Sequence, residues 1–260
     1  EVIATYLGRE SPVVRRLAGR SIPCGRRPPQ GQPRQPVVCD SHSHRLQTAV
    51  LPGPSHTECH DACGSELFDI CTEARLQVQL QPSTIFASVI PTAVLTAPGR
   101  PPSIVPDAAM TASLPAVVTA RGIRRGPALA ARRLLFDVKT IHAGTAYYVS
   151  AHARDEQSGA VRAREAAVDS GYRAHARALD VAHHGGAPGP VLQRLQAFGT
   201  VRGLVFGAYG EASADVHDVL AVAATESARA RWAAAGARSI GEYRAYLISS
   251  YRRRVGLSVV

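Results

Sequence analysis

The segment Leu134–Ile141 is an apolar strand candidate that carries two opposite charges, Asp137 and Lys139, in its middle. Side chains at positions i and i+2 point to the same face of a strand, so the carboxylate and the ammonium would project side by side. Burying a charge costs free energy unless the charge is paired or holds a metal. The segment therefore predicts either a structural ion pair near a strand end or a chemical site on one face of a sheet.

Lys139 is unusual in this chain, because it is the only lysine among 30 lysine and arginine residues. A GC-rich coding background, which the many Ala, Gly and Pro residues also suggest, replaces lysine by arginine wherever either residue will do. A lysine retained against that background is expected where a compact ammonium works and a planar guanidinium does not. Chance survival of one lysine is the alternative.

The formal net charge of +10 favours polyanionic partners, with nucleic acid first and an anionic membrane surface second. A merely solubilising basic surface is the alternative. No apolar run approaches the length of a membrane span. Five cysteines without a C-x-x-C pattern favour a reducing, intracellular compartment, the nucleus included. Because the chain begins at Glu1 and its only methionine is Met110, we expect it to be a fragment.

Order signals divide the chain into residues 1–58, a basic Pro/Arg-rich and largely disordered segment, and residues 59–257, a folded domain. The predicted elements are a helix at 61–74, strands at 76–80, 104–110 and 134–141, a long helix at 155–183 that could break at Gly171, a short helix at 190–197, a strand at 201–209, a helix capped by Ser213 and a last helix at 240–254. Residues 85–95 are predicted as an edge strand or loop, and residues 121–133 as a connection. A strand–helix–strand passage requires a crossover, so the fold class is α/β (α+β) with a mixed central sheet.

Asp107 follows Pro106 at the strand candidate that precedes the Asp137 strand. Neighbouring strands lie about 4.8 Å apart, so two carboxylates on them can share one divalent cation. Oxygen ligands without Cys or His suit Mg²⁺ or Mn²⁺. Such a cation activates a water and a phosphate for hydrolysis, and the lysine would stabilise charge in the transition state.

Pro106-Asp107 followed by Asp137-Val138-Lys139, in the order helix–strand–strand–strand–helix–strand, resembles the PD-(D/E)xK nuclease superfamily with its restriction-endonuclease-like core. Residues 104–257 are also similar to a domain of retroelement-associated proteins of algae and other eukaryotes. The stretches that carry this second resemblance are Leu135–His142, Gly171–Asp180 and Gly203–Ser213.

The resemblance implies a Mg²⁺-dependent (or Mn²⁺-dependent) nuclease domain that hydrolyses DNA phosphodiester bonds within a mobile-element protein. It implies that Asp107 and Asp137 are metal ligands and that Lys139 is the catalytic lysine. Many members add a glutamate from the first helix, for which Glu66 and Glu73 are the candidates, although each also fits a solvated face. The long helix after the lysine strand would contact phosphates, because arginine presents forked donors. The residues expected to bind nucleic acid are Arg162, Arg173, Arg177 and His142.

Three alternatives stay open. An inactive nucleic-acid-binding module with the same fold would keep the basic surface and lose the chemistry. A zinc site could form from the Cys/His group at residues 39–63, which contains His56, Cys59, His60 and Cys63, although no standard finger spacing fits. A sequence translated from non-coding DNA would fit residues 1–58. The strand and helix periodicity after residue 130 argues against this interpretation for the later part of the chain.

Overall fold

The computed structural model describes residues 21–22, 37–38, 55–90, 104–117, 125–141, 159–186, 188–207 and 210–256. Its elements in chain order are β1 (Ser21–Ile22), β2 (Val37–Val38), α1 (Ser55–Glu73), β3 (Val78–Leu80), a 3-10 turn (Ser83–Ile85), β4 (Ala108–Ala112), β5 (Pro115–Val117), β6 (Arg125–Ala128), β7 (Arg132–Thr140), α2 (Gly159–His184), α3 (Pro190–Ala197), β8 (Arg202–Phe206), α4 (Ala214–Arg231) and α5 (Ile240–Arg254). No helix in these ranges is long and apolar enough to cross a membrane.

The central sheet has four strands in the order β3-β4-β7-β8. The first three strands pair antiparallel, and β8 pairs parallel to β7 after the crossover through α2 and α3. Parallel neighbours require such a crossover, because the chain must return to the starting end of the sheet. The predicted α+β class with a mixed central sheet is therefore confirmed.

Alternate residues of β7 pack into opposite hydrophobic layers. Leu134, Phe136 and Val138 pack in one core cluster, which includes side chains from α1, α4 and α5. Leu135 packs in the other, which includes side chains from α2 and α3. Because successive strand side chains alternate between faces, Asp137 and Lys139 belong to the face that α2 covers.

Helix α2 approaches the sheet closely at one glycine. A Cβ at Gly203 of β8 would lie 2.9 Å from Val168 Cγ2 and 3.2 Å from Glu165 Cα, both on α2. Contacts this short leave no room for a side chain, so Gly203 sets the distance between helix and strand. This close contact holds the middle of α2 against the strands that carry the charged residues.

Three of the differences between the predicted and the observed elements have a simple physical reason. Helix α1 begins at Ser55 rather than near Asp61, since no proline or glycine interrupts residues 55–63. Helix α2 continues through Gly171, because packing of its buried face outweighs the roughly 1 kcal/mol that one internal glycine costs. The predicted connection at 121–133 contains β6, which pairs with β5. Pairing between separate segments overrides the weak local propensity of an Arg/Gly/Pro/Ala sequence.

Most of the predicted disordered segment, residues 1–58, lies outside the described residues. The last residues of the predicted loop at 85–95 also lie outside them. Within the described part, residues up to Ile90 form the 3-10 turn and further turns rather than a strand.

Candidate functional site: a paired-carboxylate and lysine cluster

Asp137 and Lys139 form an ion pair on the α2 side of β7. Lys139 Nζ lies 2.6 Å from Asp137 Oδ2, and the side chains are 30% and 5% exposed respectively. The carboxylate is therefore enclosed, whereas the ammonium reaches solvent. Lys139 aside, Asp137 Oδ2 has no hydrogen-bond partner among the described residues.

Asp107 lies directly before β4 and opposite Asp137. The register pairs Ala108 with Phe136, so the next opposed pair along the two strands is Asp107 and Asp137. Directly opposed residues have Cβ atoms about 4.5–5.5 Å apart. Asp107 Oδ2 accepts a hydrogen bond of 2.7 Å from the backbone N–H of Val138. The structure thus brings together the three residues predicted to form the site.

His60 of α1 is a fourth member that the sequence did not place here. Its Nε2 lies 3.0 Å from the carbonyl oxygen of Val138 and 3.4 Å from Asp107 Oδ2. Its Nδ1 lies 3.0 Å from Asp61 Oδ1. The hydrogen bond with Asp107 raises the pKa of His60 to about 9, although burial opposes it. At neutral pH the ring is an imidazolium, whose two N–H groups serve oxygen acceptors on both sides.

Tyr172 of α2 contacts Asp137 from the face of the sheet opposite to α1, the helix that carries His60. Its hydroxyl donates a hydrogen bond of 2.9 Å to Asp137 Oδ1. Burial, reinforced by the charge of Asp137, raises the pKa of Tyr172 above its usual range. The phenol therefore stays protonated and remains a donor to the carboxylate at any physiological pH.

The two carboxylates have pKa shifts of opposite direction. Burial raises the pKa of Asp137, although the charge of Lys139 opposes this. Burial also disfavours ionised Asp107, but hydrogen bonds from His60 and from the Val138 N–H outweigh it and lower the pKa of Asp107. Opposite shifts in two adjacent acids are typical of functional sites, although structural ion pairs also produce them.

The arginines predicted to bind nucleic acid have different environments. Arg173 is paired within α2, with its Nε 2.5 Å from Asp169 Oδ2. Its guanidinium therefore already has an acidic partner within the same helix. Arg162 and Arg177 are exposed. They are 15 residues apart, or roughly 22 Å along a helix, and cannot contact the same phosphate. His142 lies outside the described residues.

The glutamates considered as a further acid lie elsewhere. Arg254 of α5 pairs with both: its Nε lies 2.6 Å from Glu66 Oε1 and its Nη1 lies 2.7 Å from Glu73 Oε2. These contacts tie the last helix to the first. In place of a glutamate, α1 presents His60 to the site.

The described members of the proposed zinc group are separated by the fold. The His60 ring contacts Asp107 and Val138, while Cys63 packs against the larger hydrophobic core. The side chains of His56 and Cys59 lie outside the described part of the chain, as do Cys39, His42 and His44. Among the described residues, no three His, Cys, Asp or Glu side chains form a group that could hold a metal ion.

The donors nevertheless suit a Mg²⁺ that keeps most of its water, since this ion is often bound by only one or two carboxylates. Asp107 and Asp137 supply these carboxylates, and the buried Asp137 Oδ2 has only Lys139 to neutralise it. The carbonyl oxygen of Val138 and the ring of His60 adjoin Asp107. His60 could act as a ligand only after losing its proton, which makes metal binding dependent on pH.

One of the two added residues had a signal in the sequence. Tyr172 falls at helical spacing with Val168, Ala176 and Leu179, all buried on α2, so the face it shares was readable. His60 lies 78 positions from Val138, and no local pattern connects them. No family model, curated protein or solved structure matches this chain. The functional assignment therefore rests on the geometry of the site.

Proposed function

We propose that residues 59–257 are a divalent-metal-dependent nuclease domain, with the restriction-endonuclease-like core of the PD-(D/E)xK superfamily, that hydrolyses DNA phosphodiester bonds. The observation that carries the proposal is the opposition of Asp107 and Asp137 across β4 and β7, with Lys139 on the same face as Asp137. The element order α1, β3, β4, β7, α2, β8 supports it. A place in a mobile-element protein is part of the proposal and rests on the resemblance of residues 104–257 alone.

Asp107 and Asp137 would hold Mg²⁺ or Mn²⁺, with Val138 O and deprotonated His60 as neighbouring donors. When bound, the ion supplies Lewis-acid polarisation of the phosphate and favours ionisation of the attacking water. Lys139 places its half-exposed ammonium beside the carboxylates, where it can orient that water and stabilise the negative charge that develops on the phosphate oxygens. The water would lose one proton to solvent as its oxygen bonds to phosphorus, the bond from phosphorus to the leaving oxygen would break, and the leaving oxygen would take up a proton.

Charge balance supports a role in binding a cation. Without metal, the cations of Lys139 and His60 face the carboxylates of Asp107, Asp137 and the more exposed Asp61, so the acids outnumber the cations. Loss of the His60 proton would increase the excess of negative charge, which favours a divalent ion. The formal net charge of +10 for the chain favours a polyanionic substrate.

The decisive experiment incubates the purified protein with single-stranded and double-stranded DNA in Mg²⁺ or Mn²⁺. We expect cleavage that a chelator abolishes and that Lys139→Ala reduces at least about 100-fold. Arg229→Ala is the matched control, because it removes an exposed cation that pairs only locally with Glu226. Absence of cleavage by the parent protein, or equal cleavage by Lys139→Ala, would refute the proposal.

A second candidate is an inactive nucleic-acid-binding module with the same fold. It is favoured by the internal neutralisation of the site, in which Lys139 pairs with Asp137 and His60 with Asp107. This module would bind DNA without metal, with log affinity falling linearly in log salt concentration. A DNA affinity that does not change with salt concentration would argue against this module. Metal-dependent cleavage would exclude it in favour of the nuclease.

A further inference from the structure

The orientation of the Asp137 carboxylate depends on a contact from outside its own strand. The final side-chain torsion of aspartate joins an sp³ to an sp² carbon and has a broad energy profile. Strand β7 and the χ1 rotamer of Asp137 therefore set where the carboxyl carbon lies but do not fix the plane of its two oxygens. Any residue that sets this plane also sets which oxygen faces the site.

Tyr172 makes that contact. Its hydroxyl donates to Oδ1 at 2.9 Å, while Oδ2 lies 2.6 Å from Lys139 Nζ. One oxygen is thus held from the α2 side, and the other is directed at the ammonium. A phenol suits this task, because its hydroxyl donates to the carboxylate and brings no competing positive charge.

The hydroxyl itself is held in place by the packing of α2. Tyr172 packs against the hydrophobic cluster that contains Val168, Ala176 and Leu179 of the same helix. One turn earlier, the helix contacts β8 at Gly203, where even a Cβ would lie within 2.9 Å of Val168. The Tyr172 hydroxyl therefore lies on a helix whose distance from the sheet is set by the contact at Gly203.

We infer that Tyr172 is a positioning residue that orients Asp137 toward a divalent cation and thereby sets the affinity of the site for that cation. The inference rests on the proposed function, and it assigns Tyr172 a role distinct from contact with DNA phosphates. Residues that orient a metal-ligating carboxylate typically change metal affinity by about 10–100-fold when they are replaced.

Tyr172→Phe tests this role, because it removes the hydroxyl and keeps the ring. Tyr251→Phe is the matched control: Tyr251 is buried, and its hydroxyl lies 3.1 Å from Ser227 Oγ between α5 and α4. Mn²⁺ affinity is measured by isothermal titration calorimetry on the full chain, and the stability of each variant is measured by urea unfolding. We expect Tyr172→Phe to bind Mn²⁺ about 10–100-fold more weakly, and Tyr251→Phe to bind it as the parent does.

The outcomes separate this inference from the proposed function. If the parent binds Mn²⁺ and Tyr172→Phe binds it equally well, the positioning role is refuted while the metal site stands. The role is also refuted if Tyr251→Phe loses as much affinity, or if Tyr172→Phe alone fails to fold, since Tyr172 would then be a structural residue. A parent protein that binds no Mn²⁺ refutes both.

Discussion

Two adjacent strands of the central sheet each carry a cation paired with a buried carboxylate, and the two pairs differ in their access to solvent. On β8, Arg202 Nη1 lies 2.7 Å from Asp215 Oδ1, and both side chains are 2% exposed. On β7, Lys139 Nζ lies 2.6 Å from Asp137 Oδ2, but Lys139 is 30% exposed. The N···O distances of the two ion pairs are nearly equal. The pairs therefore differ in solvent exposure: the Arg202–Asp215 pair is closed, whereas the Lys139–Asp137 pair opens to solvent.

In the closed pair, the Arg202 guanidinium is engaged in contacts with other parts of the fold. The second nitrogen of the Arg202 guanidinium donates to the carbonyl oxygen of Pro115, and Asp215 is the first acid of α4. A forked guanidinium suits such multiple contacts. Lys139 makes its contact through one compact ammonium that still reaches solvent. A pair of the first type connects elements, whereas a pair of the second type can also interact with a ligand.

The largest expected effect is on stability, at the closed pair. Arg202→Ala removes the cation that pairs with the buried Asp215, which costs about 3–5 kcal/mol of unfolding free energy. Urea unfolding at neutral pH measures the loss, with the parent and Lys139→Ala beside it. Equal destabilisation by the two substitutions would erase the proposed difference between the pairs.

Substitution of Lys139 should act on catalysis more than on folding. Lys139→Ala is expected to lower cleavage at least about 100-fold and stability by roughly 1–2 kcal/mol, because Asp137 can take up a proton and retains its hydrogen bond from Tyr172. Lys139→Arg restores a positive charge but not the compact ammonium, so it should not restore cleavage. Full activity of Lys139→Arg would show that only charge matters there.

His60 makes the open site sensitive to pH. Its folded-state pKa of about 9 lies above the usual 6.5, so the folded protein holds this proton more tightly than the unfolded chain. The resulting stability is fully present below pH 6.5 and is lost as pH rises through 9. Allowing for solvent screening, we expect the parent to lose about 1 kcal/mol across this window.

His60→Gln should flatten that pH profile while keeping a side chain that donates hydrogen bonds. Unfolding free energies measured at intervals from pH 6 to pH 9.5 give the comparison. Arg229→Ala, which removes an exposed cation paired with Glu226, supplies the control variant. A profile for His60→Gln with the slope of the parent would place the titrating group elsewhere.

The smallest effect is expected at an exposed pair. Arg254 contacts Glu66 and Glu73 near the surface, with side chains 33–48% exposed. Exposed ion pairs contribute about 0–1 kcal/mol, so Arg254→Ala should change stability by less than about 1 kcal/mol and leave cleavage unchanged. The same urea titration checks this. A loss of unfolding free energy comparable with that of Arg202→Ala would show that solvent exposure does not determine how much each ion pair contributes to stability.

Much of the architecture was readable from local patterns. The apolar run around Asp137 predicted β7, and the helices predicted at 190–197 and 240–254 match α3 and α5. The β5–β6 hairpin was missed because its strands have weak local propensity and depend on pairing with each other. Ser213 lies at the N-cap position of α4, as predicted, but its hydroxyl donates to Gly203 O and accepts from Val205 N of β8 instead of capping the helix. A short polar side chain takes whichever backbone partner the tertiary structure places beside it.

The sequence by itself determined that Asp137 and Lys139 share one face of a strand, because side-chain parity is a property of the extended backbone. It also predicted a second acid, Asp107, within the preceding strand candidate at 104–110, whereas the structure places Asp107 directly before β4. Only the tertiary structure decided which groups surround them. His60 and Tyr172 reach the carboxylates from helices on opposite faces of the sheet, and Glu66 and Glu73 pair with Arg254 instead. Such contacts depend on how helices pack across the sheet, and no local period in the sequence encodes that packing.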